Sequence, residues 1–291
     1  MNCLVTGSAG FIGTHLVERL KRDGFKVKEV DVKNENPQPF EWVKEKDLKG
    51  IEVVFHLAAY KMVDESIEKP LVYYRNNFMK MSILLDQCHK AGVKKVVFAS
   101  SSAVYGDTIY FPTGEKRPLK PMSPYAISKA AGELLCQYYS KLGMPCVSLR
   151  LFNVYGPGCT DNAIPIFIQN VIDRKASIIY GGTQERDFVY VSDVVEAFVR
   201  ASKDDYTNGA FNIGSGKPTS INDLYIMIND KICEPISTLK KAPRLEPLKT
   251  QAKLTKAHMI WRWKPKVSLS KGLTKTIASM VQWEAKEKAV K

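Results

Sequence analysis

Thr6-Gly7-Ser8-Ala9-Gly10-Phe11-Ile12-Gly13, preceded by the apolar Cys3-Leu4-Val5, decides the fold. The apolar run reads as a buried strand, and Phe11, Ile12, Leu16, Val17 and Leu20 recur at the spacing of a helix with one buried face. Glycines 7, 10 and 13 make a strand-to-helix turn without Cβ atoms, so a diphosphate can approach the backbone and lie on the helix N-terminus. A Gly-x-x-Gly-x-x-Gly triplet alone is common. Strand, turn and helix in that order are the context that a dinucleotide site requires.

Asp31 points to which dinucleotide. Gly24 ends the first helix, residues 26–32 read as the next strand, and Asp31 stands at its carboxyl end. An acidic residue about 20 positions past the glycines is placed to bond the adenosine ribose hydroxyls. Its charge repels the 2′-phosphate of NADP, so NAD is the expected cofactor. The competing reading of Asp31 is a solvated carboxylate at a strand end.

The chain has 291 residues, 45% of them hydrophobic, enough for a sizeable core in one large or two modest domains. A net charge of +13 suggests an anionic partner. The lysines are scattered, however, and no helix-turn-helix, zinc-finger or RNA-binding signature is present, so nucleic acid is not the expected partner. Six cysteines show no Cys-x-x-Cys pair, and four histidines make no cluster, so neither a metal site nor a disulfide framework is expected. The chain opens on a core strand, leaving no room for a signal peptide, and no apolar run has the length of a membrane span. A soluble, cytoplasmic protein is the expectation.

Strands and helices alternate through the first half, which predicts an α/β fold: a doubly wound parallel sheet of the Rossmann type, covered by helices on both faces. Residues 51–57, 95–100 and 146–152 read as strands, and 70–91 and 124–141 as helices. The short connection between residues 32 and 51 leaves space only for an abbreviated third strand. Beyond Tyr155, Gly156-Pro157-Gly158 breaks the pattern. Residues 1–155 are expected to form the NAD-binding domain and 156–291 mainly a smaller α/β substrate-binding domain, with 188–214 returning to the first.

Tyr125-Ala126-Ile127-Ser128-Lys129 places a tyrosine and a lysine four apart near a helix start, so both project from one face. An ammonium near a phenol favours the ionised form, and a phenol whose pKa is ordinarily about 10 needs such help to act as a base near neutrality. A plain surface pair would have the same spacing. Ser100-Ser101-Ser102 ends the strand before it, at the sheet edge where ligands bind in open α/β folds. A hydroxyl there can share a hydrogen bond with the substrate oxygen. Serines that merely bond their own backbone are the alternative.

Taken together, Gly7-x-x-Gly10-Phe11-Ile12-Gly13, His56-Leu57-Ala58-Ala59, residues 100–106, Tyr125-x-x-x-Lys129, Arg150-Leu151-Phe152-Asn153-Val154-Tyr155-Gly156, Arg186-Asp187-Phe188 and Phe211-Asn212-Ile213-Gly214 resemble one family over essentially the whole chain. It is the extended short-chain dehydrogenase/reductases, specifically the NAD-dependent nucleotide-sugar epimerases and dehydratases. The run from His56 to Ser66 and that from Lys69 to Asn77 are most similar to the UDP-glucose 4-epimerase branch. The resemblance implies Ser101, Tyr125 and Lys129 as the catalytic triad, with Ser102 in place of Ser101 if the loop is shifted by one. It implies cofactor contacts from Gly7, Gly10, Phe11, Ile12, Gly13, Asp31, Leu57, Ala58, Ala59, Lys61, Asn76 and Ser100 as well as Tyr125 and Lys129. For the sugar nucleotide it implies Ser101, Ser102, Tyr125, Asn153, Asn162, Arg186 and Arg244, and it implies a homodimer on paired helices. Two departures stand out: the element following Arg244 is one residue short, and Lys253 occupies a position where an acidic residue is usual.

Within that family, 4,6-dehydratases carry Asp-Glu after the catalytic Ser/Thr, and decarboxylases commonly a Glu. This chain has Ser102-Ala103 there, so the expected reaction is epimerisation at C4 of a UDP-hexose or N-acetylhexosamine through a transient 4-keto sugar. A nucleotide-sugar reductase or decarboxylase is the second reading, and a non-catalytic NAD-binding scaffold the third.

Overall fold

A computed structural model of the chain describes residues 1–31, 43–232, 237–243 and 246–290, without the side chains of 284–290. In chain order the first half runs β1 (Asn2–Thr6), α1 (Phe11–Arg22), β2 (Lys26–Val30), α2 (Glu45–Leu48), β3 (Val53–His56), α3 (Val63–Glu68), α4 (Pro70–Tyr73), α5 (Lys80–Lys90), β4 (Lys95–Ser101), α6 (Pro124–Lys141) and β5 (Cys146–Leu151). The second half runs β6 (Asn153–Tyr155), α7 (Ala163–Ile172), β7 (Ser177–Tyr180), β8 (Glu185–Tyr190), α8 (Val191–Lys203), β9 (Gly209–Ile213), β10 (Pro218–Ser220), α9 (Ile221–Ile232), β11 (Thr238–Lys241), α10 (Thr255–Trp261) and α11 (Leu269–Val290).

Six strands pair in the order β2-β1-β3-β4-β5-β9, all parallel. Their sequences are near-continuous apolar runs because both faces are covered, and alternate residues supply two different cores. Cys3, Val5, Val53, Phe55, Val97 and Ala99 join one cluster with Leu16 and Leu20 of α1 and Val194 and Phe198 of α8. Leu4, Val54, Val96 and Phe98 join another with Leu84 and Leu85 of α5 and Cys136 of α6. The doubly wound parallel sheet is therefore present, and a one-residue slip of any strand would exchange its two faces.

The C-terminal half inserts two smaller sheets, β10-β8-β6 and β11-β7. Phe188 to Tyr190 pair with β6 rather than with the large sheet, whereas α8 packs on β4 and β5, and β9 extends the large sheet beside β5. Residues 32–42, where the abbreviated third strand was expected, lie outside the described residues.

The helix expected over 70–91 is interrupted. Between α4 and α5, Tyr74–Met79 is a π-helical segment. Apolar periodicity cannot register this local widening, because the residues that exploit it, Asn76 and Asn77, are polar. By contrast α6 has legible ends: the Ser123 hydroxyl accepts from Ala126 N at 3.1 Å, Pro124 occupies the first turn, and Gly143 follows with φ 91°.

Phe198 is fully buried and meets Phe55 across the α8–sheet contact, with ring centroids 6.4 Å apart. Phe198→Ala is expected to lower the unfolding free energy by about 3–5 kcal/mol in urea denaturation. A loss below about 1 kcal/mol would contradict this core assignment.

Candidate active site

The glycines that open the chain are packed, not merely flexible. Gly7 has φ 73°, and a Cβ there would stand 2.7 Å from Ala58 N. A Cβ on Gly13 would stand 2.0 Å from the Gly7 carbonyl oxygen. The turn is held under the sheet edge by Gly7 N donating to Val30 O at 2.9 Å and Gly10 N to Gly7 O at 3.1 Å. Gly10 caps α1 without any side-chain bond, and the first turn holds no acid, which leaves a positive helix end facing the crevice. That crevice is lined by Gly7, Gly10, Phe11, Ile12, Gly13, Asp31, Leu57, Ala58, Ala59, Lys61 and Asn76, eleven of the expected cofactor contacts, with Tyr60, Lys80 and Ala99 added. Asp31 accepts from Ala9 N at 2.9 Å, so its carboxylate lies beside the glycine turn. The cradle fits a dinucleotide: its floor is backbone where a Cβ would intrude, with a carboxylate at one end and Lys61 at its rim.

Lys61 ion-pairs across the crevice with Asp161 at 2.8 Å. Asn76 donates to Asn77 Oδ1 at 3.1 Å. Asn77, a neighbour that the sequence reading passed over, is the better-anchored residue. Its amide accepts from Tyr60 N at 2.8 Å and donates to Tyr60 O at 2.8 Å and to Ser128 Oγ at 3.1 Å. The π-helical segment thus ties the crevice wall to α6.

Helix α6 lies against the end of β4. Lys129 Nζ donates to Ala99 O at 2.7 Å and stands 4.9 Å from the Phe98 ring and 5.9 Å from the Tyr125 ring. The Tyr125 hydroxyl is hydrogen-bonded to the Ser101 side chain. Ser101 also accepts from Ala103 N at 3.2 Å, while Ser102 opens the short 3-10 turn Ser102–Tyr105. Ser101, Tyr125 and Lys129 are therefore together, and Ser101 is the serine facing the phenol.

Burial dominates the electrostatics. It pushes the Tyr125 phenol up, against the downward pull of its bond with Ser101, and it brings the Lys129 ammonium down to about 7. His56, bonded to Thr6 Oγ1 through Nδ1 at 2.8 Å, is brought down to about 3 by burial and then by the Lys129 charge, so it is neutral. The sequence reading credited the lysine with lowering the phenol. In the protein alone burial acts on both groups, raising the phenol and lowering the lysine.

Below the triad runs a network that sequence reading missed. Ser100 Oγ donates to Glu133 Oε1 at 2.5 Å, and Arg150 donates to the same carboxylate from Nε at 3.0 Å and Nη2 at 2.6 Å. Arg150 Nη1 reaches the Tyr105 hydroxyl at 2.8 Å, which donates to Asn212 Oδ1 at 2.7 Å. Burial opposes the Arg150 charge, but Glu133 outweighs it and raises the guanidinium pKa. The available signal was a charge in the middle of an apolar strand, which in a buried sheet demands a partner. Ser100, which the resemblance assigns to the cofactor, turns its hydroxyl into this network.

Of the residues expected to hold the sugar nucleotide, Asn162 caps α7, accepting from Ile164 N at 3.1 Å and donating to Val154 O at 2.8 Å. Asn153 begins β6. Arg186 is buried and paired with Glu246 at 2.8 Å. Arg244 lies outside the described residues. Among the described residues, no three His, Cys, Asp or Glu side chains are grouped to hold a metal ion, and no helix is long and apolar enough to cross a membrane.

With a glycine cradle at the sheet edge and a Ser-Tyr-Lys triad beside it, the class is a nucleotide-dependent enzyme on a Rossmann sheet. The chain belongs to the NAD dependent epimerase/dehydratase family, whose sequence profile matches residues 3–214. It is 36% identical over 305 residues to a UDP-glucose 4-epimerase of Mycolicibacterium smegmatis, covering 95% of this chain and 97% of that one. A UDP-N-acetyl-alpha-D-glucosaminuronate decarboxylase of Bacillus cytotoxicus is 33% identical, with 97% of each chain covered. Among solved structures, UDP-glucose 4-epimerase of Thermotoga maritima with UDP-glucose aligns at TM-score 0.91 and 34% identity, covering 98% of this chain and 100% of that one. MoeE5 with UDP-glucuronic acid and NAD aligns at 0.92 and 33%, covering 97% and 100%. NAD is the cofactor of the family, and the cradle described above accommodates it.

The site gives two expected outcomes. Gly13→Ala forces its Cβ into the Gly7 carbonyl, and NAD affinity by equilibrium dialysis should fall about tenfold or more; unchanged affinity would refute the cradle. Separately, a lysine at about 7 in the fold against its ordinary 10.5 means that the unfolded chain holds the extra proton between those values. Stability from this group therefore rises with pH across that window. The unfolding free energy of wild type minus Lys129→Met should climb by about 1 kcal/mol per pH unit from pH 7.5 to 9.5. A flat difference would contradict the assignment.

Proposed function

We propose that the protein is an NAD-dependent epimerase inverting C4 of a UDP-sugar. The observation that carries this reading is the Ser101–Tyr125–Lys129 cluster at the carboxyl end of β4, with only β3 between it and the glycine cradle at the end of β1. Tyr125 as phenolate takes the proton from the sugar 4-hydroxyl, Ser101 holds the same oxygen, and Lys129 stabilises the phenolate. Bound NAD supplies the hydride acceptor and donor and adds a positive charge near the phenol. Gly7, Gly10, Phe11, Ile12 and Gly13 would hold the cofactor, Asp31 would bond its ribose, and the residues from Leu57 to Lys61 together with Asn76 would line its side. Residues 1–155 make this half of the site and 156–291 chiefly the half that holds the sugar nucleotide.

The two residues after Ser101 favour epimerisation over elimination. Ser102 and Ala103 enter a tight turn and carry no carboxyl group that could serve as acid or base at C5 and C6. The second reading, decarboxylation, has the Bacillus relative behind it and lacks the same group. Asn153, Asn162, Arg186 and Arg244 would anchor the diphosphate while the 4-keto sugar turns over. Guanidinium groups suit phosphate oxygens, and Arg186 now holds a carboxylate in that place. By resemblance to the epimerase branch, the residue that would border C2 of the sugar is Thr250, whose hydroxyl accepts from Asp187 N at 3.2 Å. So small a residue admits an N-acetyl group as well as a hydroxyl. The enzyme acts as a cytoplasmic homodimer, joined through the exposed apolar side chains Ile127, Leu134 and Tyr138 of α6.

Product NMR on a panel of UDP-, GDP- and dTDP-sugars with NAD should show C4 epimers of UDP-hexoses and UDP-N-acetylhexosamines and no net absorbance at 340 nm. Stoichiometric NADH formation or release of carbon dioxide would replace this reading. Tyr125→Phe should keep NAD binding and lose at least about 10²-fold in turnover; full activity would exclude the phenol as base.

A further inference from the structure

Among the described residues, a second cavity is larger than the cofactor crevice. A groove of about 890 Å³ runs along the far side of α6, between the loop at residues 112–117, the edge strand β9 and α10. It shares no lining residue with the crevice. The buried cluster of Val104, Tyr105, Phe152 and Ala252 belongs to the polypeptide around it. Its volume falls in the range of small-molecule sites.

The charge in this groove is one-sided. Lys116 and Arg117 come from the loop, Lys253 from the segment before α10, and Lys256 from α10 itself. Arg117 is spread over the Tyr110 ring at 3.9 Å, and Lys256 Nζ stands 4.0 Å from the Phe211 ring while donating to Ala210 O at 2.7 Å. Among the described residues, none of these four cations forms an ion pair with a carboxylate. The one acid in the lining, Glu115, uses its carboxylate to accept from Asn212 N at 3.0 Å. Arg150 at the floor is neutralised by Glu133. Lys253 contributes most pointedly: it stands where the resemblance leads one to expect an acidic residue, and its stem packs beside Gly114. One wall is apolar, made by Met259 and Ile260, both well exposed.

We propose that this groove is a second ligand site, distinct from the catalytic crevice, that binds a nucleoside di- or triphosphate. The four cations take the phosphate chain, and the Met259–Ile260 wall takes the base. Four positive charges lining one groove suit a multiply charged phosphate rather than a monoanion, and an apolar wall beside them suits a planar ring rather than a bare inorganic anion.

The test uses enzyme saturated with both NAD and UDP, so that the cofactor and sugar-nucleotide sites are filled, and titrates ATP by calorimetry. One further equivalent of ATP should bind, and inorganic tripolyphosphate should bind the same site about tenfold more weakly for want of a base. The double substitution Lys116→Glu with Lys253→Asp should weaken ATP binding at least about tenfold and leave turnover without ATP unchanged. Arg117→Gln alone should weaken it in the same direction, which keeps the reading testable if the double variant folds poorly. No saturable ATP uptake, equal affinity in both variants, or binding confined to long RNA would overturn the proposal.

Discussion

The position of α6 depends on one buried ion pair. Glu133 and Arg150 are 1% and 4% exposed, and their 2.6 Å contact joins α6 to β5 while the same carboxylate takes the Ser100 hydroxyl of β4. Removing one partner of such a pair strands a charge in the interior, at a cost of about 3–5 kcal/mol. The pair's importance lies less in net stability than in registration. A second link, Lys129 Nζ to Ala99 O, lies one turn away on α6. Between them these links fix the Tyr125 phenol against Ser101, the arrangement on which the proposed chemistry rests.

That arrangement has an electrostatic consequence. The triad sits where burial disfavours charge on the phenol and on the lysine alike. In the protein alone the phenol therefore keeps its proton, while the lysine gives up its own near pH 7. A phenol held protonated in this way needs added positive charge beside it before it can act as the proposed base.

Much of this could be read from the chain because it is locally consistent. The strand–glycine turn–helix order at residues 2–22, the ends of α6 at Ser123 and Gly143, and the Tyr125/Lys129 spacing each follow from short-range rules, and the parallel sheet follows from their alternation. What escaped was long-range or polar. The π-helical turn at Tyr74–Met79 leaves no apolar signature, and Asn77 is legible only through bonds to Tyr60 and Ser128 that sequence cannot pair. Glu133 and Arg150 are 17 residues apart and meet only because β5 returns alongside α6. Ser100 was assigned to the cofactor through the resemblance, and its bond to Glu133 could not be read from the sequence. In the second half the short strands β6, β7 and β10 carry too few residues to show a period.

The proposed chemistry stands or falls on where the C4 hydrogen travels. Wild-type enzyme loaded with NAD, turning over UDP-glucose deuterated at C4, is followed by deuterium NMR. If the triad works by reversible oxidation at that carbon, the UDP-galactose formed keeps its deuterium at C4. Deuterium appearing at C6, or lost to solvent without an epimer, would contradict it.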